Sequence, residues 1–313
     1  MLIVSLPPVH QEKLLETIVS HPLVGAVRYN TGQDSAYSPE ETISRILMHT
    51  ARHGKPLYID LKGKQLRVTE WATLPYGPIT LNHQIVVELP AKVYFRGDDC
   101  CDLKEVVDGN KIYVDPLPKY SVGRGQAVNI VGKGVEVKGD FTDTDRAYVS
   151  AALRRGVARF MLSFVEDAGY VLRLEDLIRA CRGSKPAEHG LEIVLKIESQ
   201  AGVDFVRRSR KAQVNRWRLM AARDDLMIQI GALNMLDALK TIVAKDSKAI
   251  CASRLLMGLA ESSGEVSMAD ISDLELMRRL GYRHFMLSDG VSRNHFAKAM
   301  EFWLKYTVAY PLL

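Results

Sequence analysis

The stretch LEIVLKIES, Leu191 to Ser199, decides how this chain is read. Its short, β-branched apolar run has the character of a buried strand. Yet Lys196 and Glu198 stand at its end. A strand sends alternate side chains to opposite faces, so Val194, Lys196 and Glu198 share one side and Ile193, Leu195 and Ile197 the other. Burying an ammonium with a carboxylate is costly unless each finds further partners. The fold must therefore supply a shared polar end for this strand.

Comparable runs recur along the chain: LIVSL from Leu2, LVGAVRYN from Leu23, PLYIDLK from Pro56, ARFMLSF from Ala158, WRLMAARDD from Trp217, KAICAS from Lys248 and RHFMLSD from Arg283. With LEIVLKIE they make eight, most of them followed by helical signals. Strands alternating with helices argue for a parallel sheet, and eight units close a (β/α)8 barrel of TIM type. Ser38-Pro39-Glu40-Glu41 and Thr142 with Asp145 read as helix starts, and Gly54, Gly156 and Gly281 as helix ends. Polar residues gather at the strand ends: Arg28 and Asn30, Asp60 and Lys62, Ser163, Lys196 and Glu198, Arg223 and Asp225, Ser253, and Ser288. Read as one parity, they converge at the C-terminal mouth of the barrel, where such folds hold their active sites.

The alternation breaks once. Residues 68–138 are rich in valine, glycine and proline without a helical period, which predicts a small β domain inserted after the third strand, between barrel segments 1–67 and 139–313. An insert at the mouth is placed to act as a lid. Gly123, Gly125, Gly132 and Gly134 lack the strand-to-helix setting of a phosphate loop and read as hairpin turns.

Composition narrows the function. A formal charge of +5, from 42 Lys and Arg against 37 Asp and Glu, suits anionic metabolites and is too weak to argue for nucleic acid. Cys100, Cys101, Cys181 and Cys251 form no CxxC pair, which suits a reducing, cytoplasmic setting, and Cys251 reads as a core residue. No apolar run has membrane-span length and MLIVSLPPVHQEK is not a signal peptide, so no membrane partner is expected. The basic run from Arg207 reads as a solvated helix face.

In order along the chain, VRYNTG, YIDLKGKQLR, FTDTDRAYVSAALRRGVARFMLSFVEDA, KIESQAGVDF, AARDDL, ICASRLL and FMLSDG resemble the motifs of the pyruvate kinases. The resemblance implies a divalent metal, Mg²⁺ or Mn²⁺, held by Glu198 and Asp225, with Lys196 beside the phosphoryl group in flight. Arg28 and Arg67 would grip phosphate oxygens, Ser253 would lie near the enolate carbon, and Lys133 would approach nucleotide phosphates. Lys62, Ser163, Ser288 and Asp224 would line the substrate site, and Asn30 with Asp60 would form part of a K⁺ site. The implied small molecules are phosphoenolpyruvate, pyruvate or a related 2-oxo acid, and ADP or ATP.

The sequence departs from that pattern in several places. Asp224-Asp225 replaces a Gly-Asp pair, putting a negative side chain where a substrate carboxylate docks. Leu61 replaces a potassium-site threonine, Gln65 a Glu or Lys, and Ser288-Asp289-Gly290-Val291 the SGET motif. The sequence ends at Leu313, without the family's C-terminal domain, so its effector control is not expected; pairing into a homo-oligomer is left open. Three readings remain: a pyruvate-kinase-like phosphotransferase, a divergent metal enzyme acting on a 2-oxo-acid enolate or another phosphate acceptor, and a non-catalytic binding protein.

Overall fold

Apolar side chains at every second position, repeated at the register the sequence implies, close eight parallel strands into a barrel. The structure, a computed structural model, describes residues 1–33, 35–95, 97, 99–182, 190–260 and 264–311. The chain starts with β1 (Leu2–Ser5), α1 (Glu12–Ser20), β2 (Val24–Asn30), α2 (Pro39–Thr50) and β3 (Leu57–Leu61). An excursion follows, carrying β4 (Ile79–Thr80), β5 (Ile85–Val86), β6 (Ala91–Phe95), β7 (Asp99–Val107), β8 (Lys111–Asp115), β9 (Val128–Gly132) and β10 (Glu136–Val137). The barrel resumes with α3 (Asp143–Arg154), β11 (Arg159–Leu162), α4 (Ala168–Arg182), β12 (Glu192–Ile197), α5 (Gln200–Arg208), α6 (Lys211–Val214) and β13 (Arg218–Ala222). It ends with α7 (Arg223–Ile230), α8 (Met235–Lys245), β14 (Ile250–Ala252), α9 (Met268–Leu280), β15 (His284–Leu287), α10 (Asp289–Asn294) and α11 (Phe296–Ala309).

The barrel order is β1-β15-β14-β13-β12-β11-β3-β2. Its interior is a plug of Ile3, Ala26, Tyr58, Met161, Val194, Met220, Ile250, Ala252 and Met286. The opposite parity, with Leu195, Ile197, Leu219 and Cys251, packs under the helices. Lys196 and Glu198 thus continue the inward parity of Val194, as their spacing implies. The expected caps are also present: Ser38 accepts the Glu41 N–H, and Thr142 with Asp145 forms a full capping box.

The parity reading needs correction on two strands. β13 stops at Ala222, so Arg223, Asp224 and Asp225 are the first turn of α7, and alternation no longer places them. β14 stops at Ala252, and Ser253 turns out of the strand with φ of 64°.

The excursion folds as a five-stranded antiparallel sheet, β4-β8-β7-β6-β9, and a two-stranded one, β10-β5. Its separate core includes Leu81, Val93, Phe95, Ile112 and Ile130. The hairpin reading of the glycine-rich stretch needs correction: Gly125 and Gly134 lie in turns on either side of β9, Gly132 ends β9 itself, and β9 and β10 pair into different sheets.

The excursion leaves and rejoins the barrel at a single seam. One Asp145 carboxylate caps α3 and also accepts the N–H groups of Lys62 at 2.8 Å and Gly63 at 3.1 Å. The Tyr170 hydroxyl accepts the Lys64 N–H and donates to the Asp140 carbonyl. The His83 ring lies between the carbonyls of Gly63 (2.8 Å) and Lys138 (3.0 Å). Gly63 is required here, since its φ is +49° and a Cβ would sit 1.9 Å from the Tyr170 hydroxyl. Among the described residues, no single helix is long and apolar enough to cross a membrane.

Candidate active site

Strand ends β2, β3, β11 and β12 bring their inward polar residues together around Asp60, which is fully buried. Its Oδ2 accepts from Arg28 through Nε (2.9 Å) and Nη2, and from Lys62 Nζ at 3.1 Å. Its Oδ1 has Lys196 Nζ at 3.3 Å. Burial alone would raise this carboxyl; the charges of Arg28, Lys196 and Lys62 outweigh it and hold Asp60 far below the usual carboxylate range.

Lys196 reaches three groups: Ser163 Oγ at 2.7 Å, Glu198 Oε1 at 3.1 Å and Asp60. Ser163 donates in turn to the Leu61 carbonyl at 2.9 Å, so its lone pair is aimed at the ammonium. Burial works to lower Lys196, but Asp60 and Glu198 hold it above the ordinary lysine value. Burial pushes Lys62 down to about 7 despite Asp60, with Lys196, Arg67 and Arg28 adding to the push.

Glu198 Oε2 accepts the Phe164 N–H at 2.7 Å. Phe164 holds φ of 53°, a left-handed backbone that costs a non-glycine residue of order 1 kcal/mol or more. Among the described residues, Asp225 has only neutral partners, Asn129 Nδ2 at 2.7 Å and Gln65 Nε2 at 3.3 Å. Burial pushes the Glu198 carboxyl up to about 7, against Lys196 and with the charge of Asp225 adding.

This donor set fits a divalent cation. Two hard carboxylates repel each other, one of them lacks any direct cation, and a positive ion between them relieves both. Among the described residues, no group of three or more His, Cys, Asp or Glu has ligating geometry. Two carboxylates, with further positions left to substrate and water, are a donor set that Mg²⁺ sites commonly use. The donors do not fit the expected K⁺ site. Asp60 already faces three cationic side chains, whose charge disfavours a fourth cation there although its Oδ1 accepts no hydrogen bond, and Asn30 spends its amide on Asp289 (2.9 Å) and the Gly32 N–H (3.0 Å). Activity measured with K⁺ replaced by tetramethylammonium is expected to stay within about twofold; a strong K⁺ requirement would contradict this.

Arg28 has little left for a ligand: beyond Asp60 it donates to Ser5 Oγ and Asp289 Oδ1, both at 3.0 Å. Among the described residues, Arg67 has neutral partners only, Gln65 Oε1 and the Gly125 carbonyl. Its guanidinium lies so close to Gly32 that a Cβ there would come within 2.6 Å of it. Arg67, Lys62 and Arg124 line a cleft of about 730 Å³ between the barrel mouth and the excursion.

Comparison with known proteins resolves the family. The model described as "Pyruvate kinase, barrel domain" matches residues 86–290. The chain belongs to the pyruvate kinase family. It is 26% identical over 257 residues to a pyruvate kinase of Naumovozyma castellii, covering 71% of this chain and 48% of that one. It is likewise 26% identical over 269 residues to a pyruvate kinase of Thermoplasma acidophilum, covering 77% and 46%. The chain thus spans about half the length of the curated relatives it matches. A solved pyruvate kinase of Cryptosporidium parvum shares the fold, with a TM-score of 0.69 at 19% identity, covering 93% of this chain and 65% of that one.

Not every residue marked by the pyruvate kinase resemblance joins the cluster. Lys133 stands on the turn between β9 and β10, largely exposed, and pairs with Glu88 at 2.9 Å. Ser288 caps α10 by accepting the Val291 N–H. Arg223 turns to Asp273 and to the Ser253 carbonyl. Asp224 is half exposed, with Arg254 at 3.5 Å. Sequence reasoning missed Ser5, Asp289, Gln65 and Asn129 as site residues. Ser5 shares the inward parity of Ile3 and was legible; Asn129 and Asp289 meet the site only through tertiary contacts.

Metal affinity should carry the signature of Glu198. Below pH of about 7 its carboxyl holds a proton that a metal must displace. Mn²⁺ affinity, titrated by electron paramagnetic resonance, is expected to strengthen as pH rises from 6 to 8, with a slope approaching about tenfold per unit below the pKa. Glu198→Gln should be weaker and flat; an equally steep wild-type-like profile in that variant would remove Glu198 from the site.

Proposed function

We propose that the chain is a divalent-metal-dependent phosphotransferase of pyruvate kinase type. It would act on phosphoenolpyruvate or pyruvate with a nucleotide, residues 68–138 serving as its lid and the cytoplasm as its compartment. The observation that carries this reading is the buried Lys196, fixed by Ser163, Asp60 and Glu198 beside the carboxylate of Asp225.

Glu198 and Asp225 would hold the metal, which supplies Lewis-acid stabilisation of phosphoryl and enolate oxygens when bound. Lys196 presents a fixed positive charge where negative charge grows during transfer, so no reorganisation is needed at the moment of reaction. Arg67, the less committed guanidinium, grips phosphate oxygens in the cationic cleft. Arg28 holds Asp60 and Asp289 in place and thereby fixes both lysines. Ser253, at the left-handed turn after β14, lies beside Asp224 and would face the enolate carbon.

Asp224 tunes substrate docking. Its carboxylate occupies the first turn of α7, whose N–H groups otherwise favour an anion. Asp224→Gly is expected to tighten phosphoenolpyruvate binding by roughly threefold to tenfold, measured by fluorescence titration. Unchanged or weaker binding would mean that Asp224 serves a different substrate.

A second reading has support from Lys133, whose ammonium pairs with Glu88 at the lid surface instead of the cleft. In that reading the same centre stabilises a 2-oxo-acid enolate without a nucleotide. Phosphorus NMR of phosphoenolpyruvate, ADP and Mg²⁺ with the purified protein decides between them. A growing ATP γ-phosphate signal supports the phosphotransferase. An unchanged spectrum, together with metal-dependent loss of CO₂ from oxaloacetate, supports the second.

A further inference from the structure

The two carboxylates proposed to hold the metal are fixed in different ways. Glu198 faces the Lys196 ammonium at 3.1 Å and accepts the Phe164 N–H at 2.7 Å, and both groups belong to the barrel. Asp225 is held by two side-chain amides, one on each oxygen. Gln65 Nε2 reaches Oδ2 at 3.3 Å, and Asn129 Nδ2 reaches Oδ1 at 2.7 Å. Gln65 follows the third barrel strand, whereas Asn129 lies on β9 of the excursion. One member of the proposed metal pair is therefore oriented from outside the barrel.

Strand alternation explains how Asn129 arrives there. Val128 and Ile130 are buried in the core of the excursion, so the residue between them points to the opposite face. β9 packs against α7, whose first turn carries Asp225. Asn129 is only 6% exposed, so little water competes for its amide.

A third group sets which way each amide faces. Gln229, one turn beyond Asp225 on α7, donates to Asn129 Oδ1 at 3.2 Å and to the Ile130 carbonyl at 3.3 Å. With its oxygen accepting from Gln229, Asn129 has its nitrogen turned to Asp225. Gln65 is fixed in the same manner, its Oε1 accepting from Arg67 through Nε at 3.2 Å and Nη2 at 2.9 Å.

Neutral donors suit a metal ligand. An ammonium would also orient the carboxylate, but it would offset the charge that attracts a divalent cation. An amide holds the oxygens in place and leaves that charge available. A carboxylate has about four lone-pair directions, so accepting from two amides leaves others open to a metal.

We infer that Asn129, steadied by Gln229, is a positioning residue that aims Asp225 at a divalent cation, so that the excursion sets metal affinity without touching the metal. This rests on the metal reading of Glu198 and Asp225 and adds to it a dependence on a residue outside the barrel.

Mn²⁺ titration by electron paramagnetic resonance, without substrate or turnover, tests it on the full chain. Asn129→Leu roughly keeps the volume and loses the donor. It is expected to weaken Mn²⁺ by about 10- to 100-fold, the range for removing a hydrogen-bond partner of a ligand. Gln229→Met keeps the length and frees the Asn129 amide to turn, which should weaken Mn²⁺ by about threefold. In the double variant the Gln229→Met loss should vanish, because no amide is left to orient. A purely structural role would lower the melting temperature of the metal-free protein and leave the Mn²⁺ affinity of folded molecules within about twofold. If Asn129→Leu does not fold by circular dichroism, Gln229→Met, at a half-buried position, carries the test. Wild-type affinity in folded Asn129→Leu, or losses that add in the double variant, would overturn the inference; where Gln229→Met alone folds, wild-type affinity in it does so. A wild-type chain that binds no Mn²⁺ would remove the metal reading, and the inference with it.

Discussion

Replacing Lys196 with alanine is expected to lower kcat for phosphoryl transfer by about 10²–10³, the scale of removing one fixed transition-state donor. The ammonium is 5% exposed and held by Ser163, Asp60 and Glu198, so no solvent ion takes its place at the same geometry. Its removal also strips Glu198 of its cationic neighbour, which pushes that carboxyl higher still and weakens metal binding near neutrality. The two effects separate by pH. At pH 9 the variant should recover Mn²⁺ affinity, because Glu198 is then ionised, while kcat stays low. Restored turnover at pH 9 would reduce Lys196 to a metal-tuning role, and an unchanged kcat at pH 7 would remove it from the mechanism altogether.

Asp60→Asn should cost about 3–5 kcal/mol of stability, the range for breaking a buried ionic cluster from one side. The side chain neutralises Arg28, Lys62 and Lys196, and only Arg28 and Lys196 have a second carboxylate, in Asp289 and Glu198. Lys62, already pushed down to about 7, loses its single acidic partner among the described residues and goes neutral. The pH dependence has a defined sign. A carboxyl held below its unfolded value stabilises the fold above the unfolded pKa of about 3.9, and that contribution fades as pH falls. Urea unfolding of wild type and variant should therefore differ most at neutral pH and converge toward acid. A difference below about 1 kcal/mol at pH 7 would show that the cluster is dispensable to the fold.

The barrel and half of the site were legible because β12 runs unbroken to Ile197, so alternation carries Lys196 inward with Val194 and aims Glu198 the same way. The same reasoning failed on β13 and β14, where the inward parity belongs to Met220 and to Ile250 and Ala252, so that Arg223, Asp225 and Ser253 fall on the other one. Alternation has no meaning once Arg223 enters a helix or Ser253 adopts a left-handed turn. The change to Asp289 looked like a loss of motif; it moves the acidic residue one position back from its place in SGET, to where its carboxylate binds Arg28 and Asn30 across 261 and 259 residues of sequence. Gln65 and Asn129 carry no local signal at all. They matter because the third strand end and the lid both come to rest on Asp225, a fact of packing and not of pattern.

The seam at Asp145, Tyr170 and His83 sets how far the excursion can change without disturbing the barrel. Chain departure and return are pinned to one another by Asp145 and Tyr170 of the barrel and by His83 of the excursion itself, so the socket persists only while that histidine is kept. Closing such a loop costs entropy that grows only with the logarithm of its length. Lengthening or shortening the excursion beyond His83 therefore leaves the Asp60 cluster nearly untouched, so the mouth can be reshaped over a charged centre that stays put.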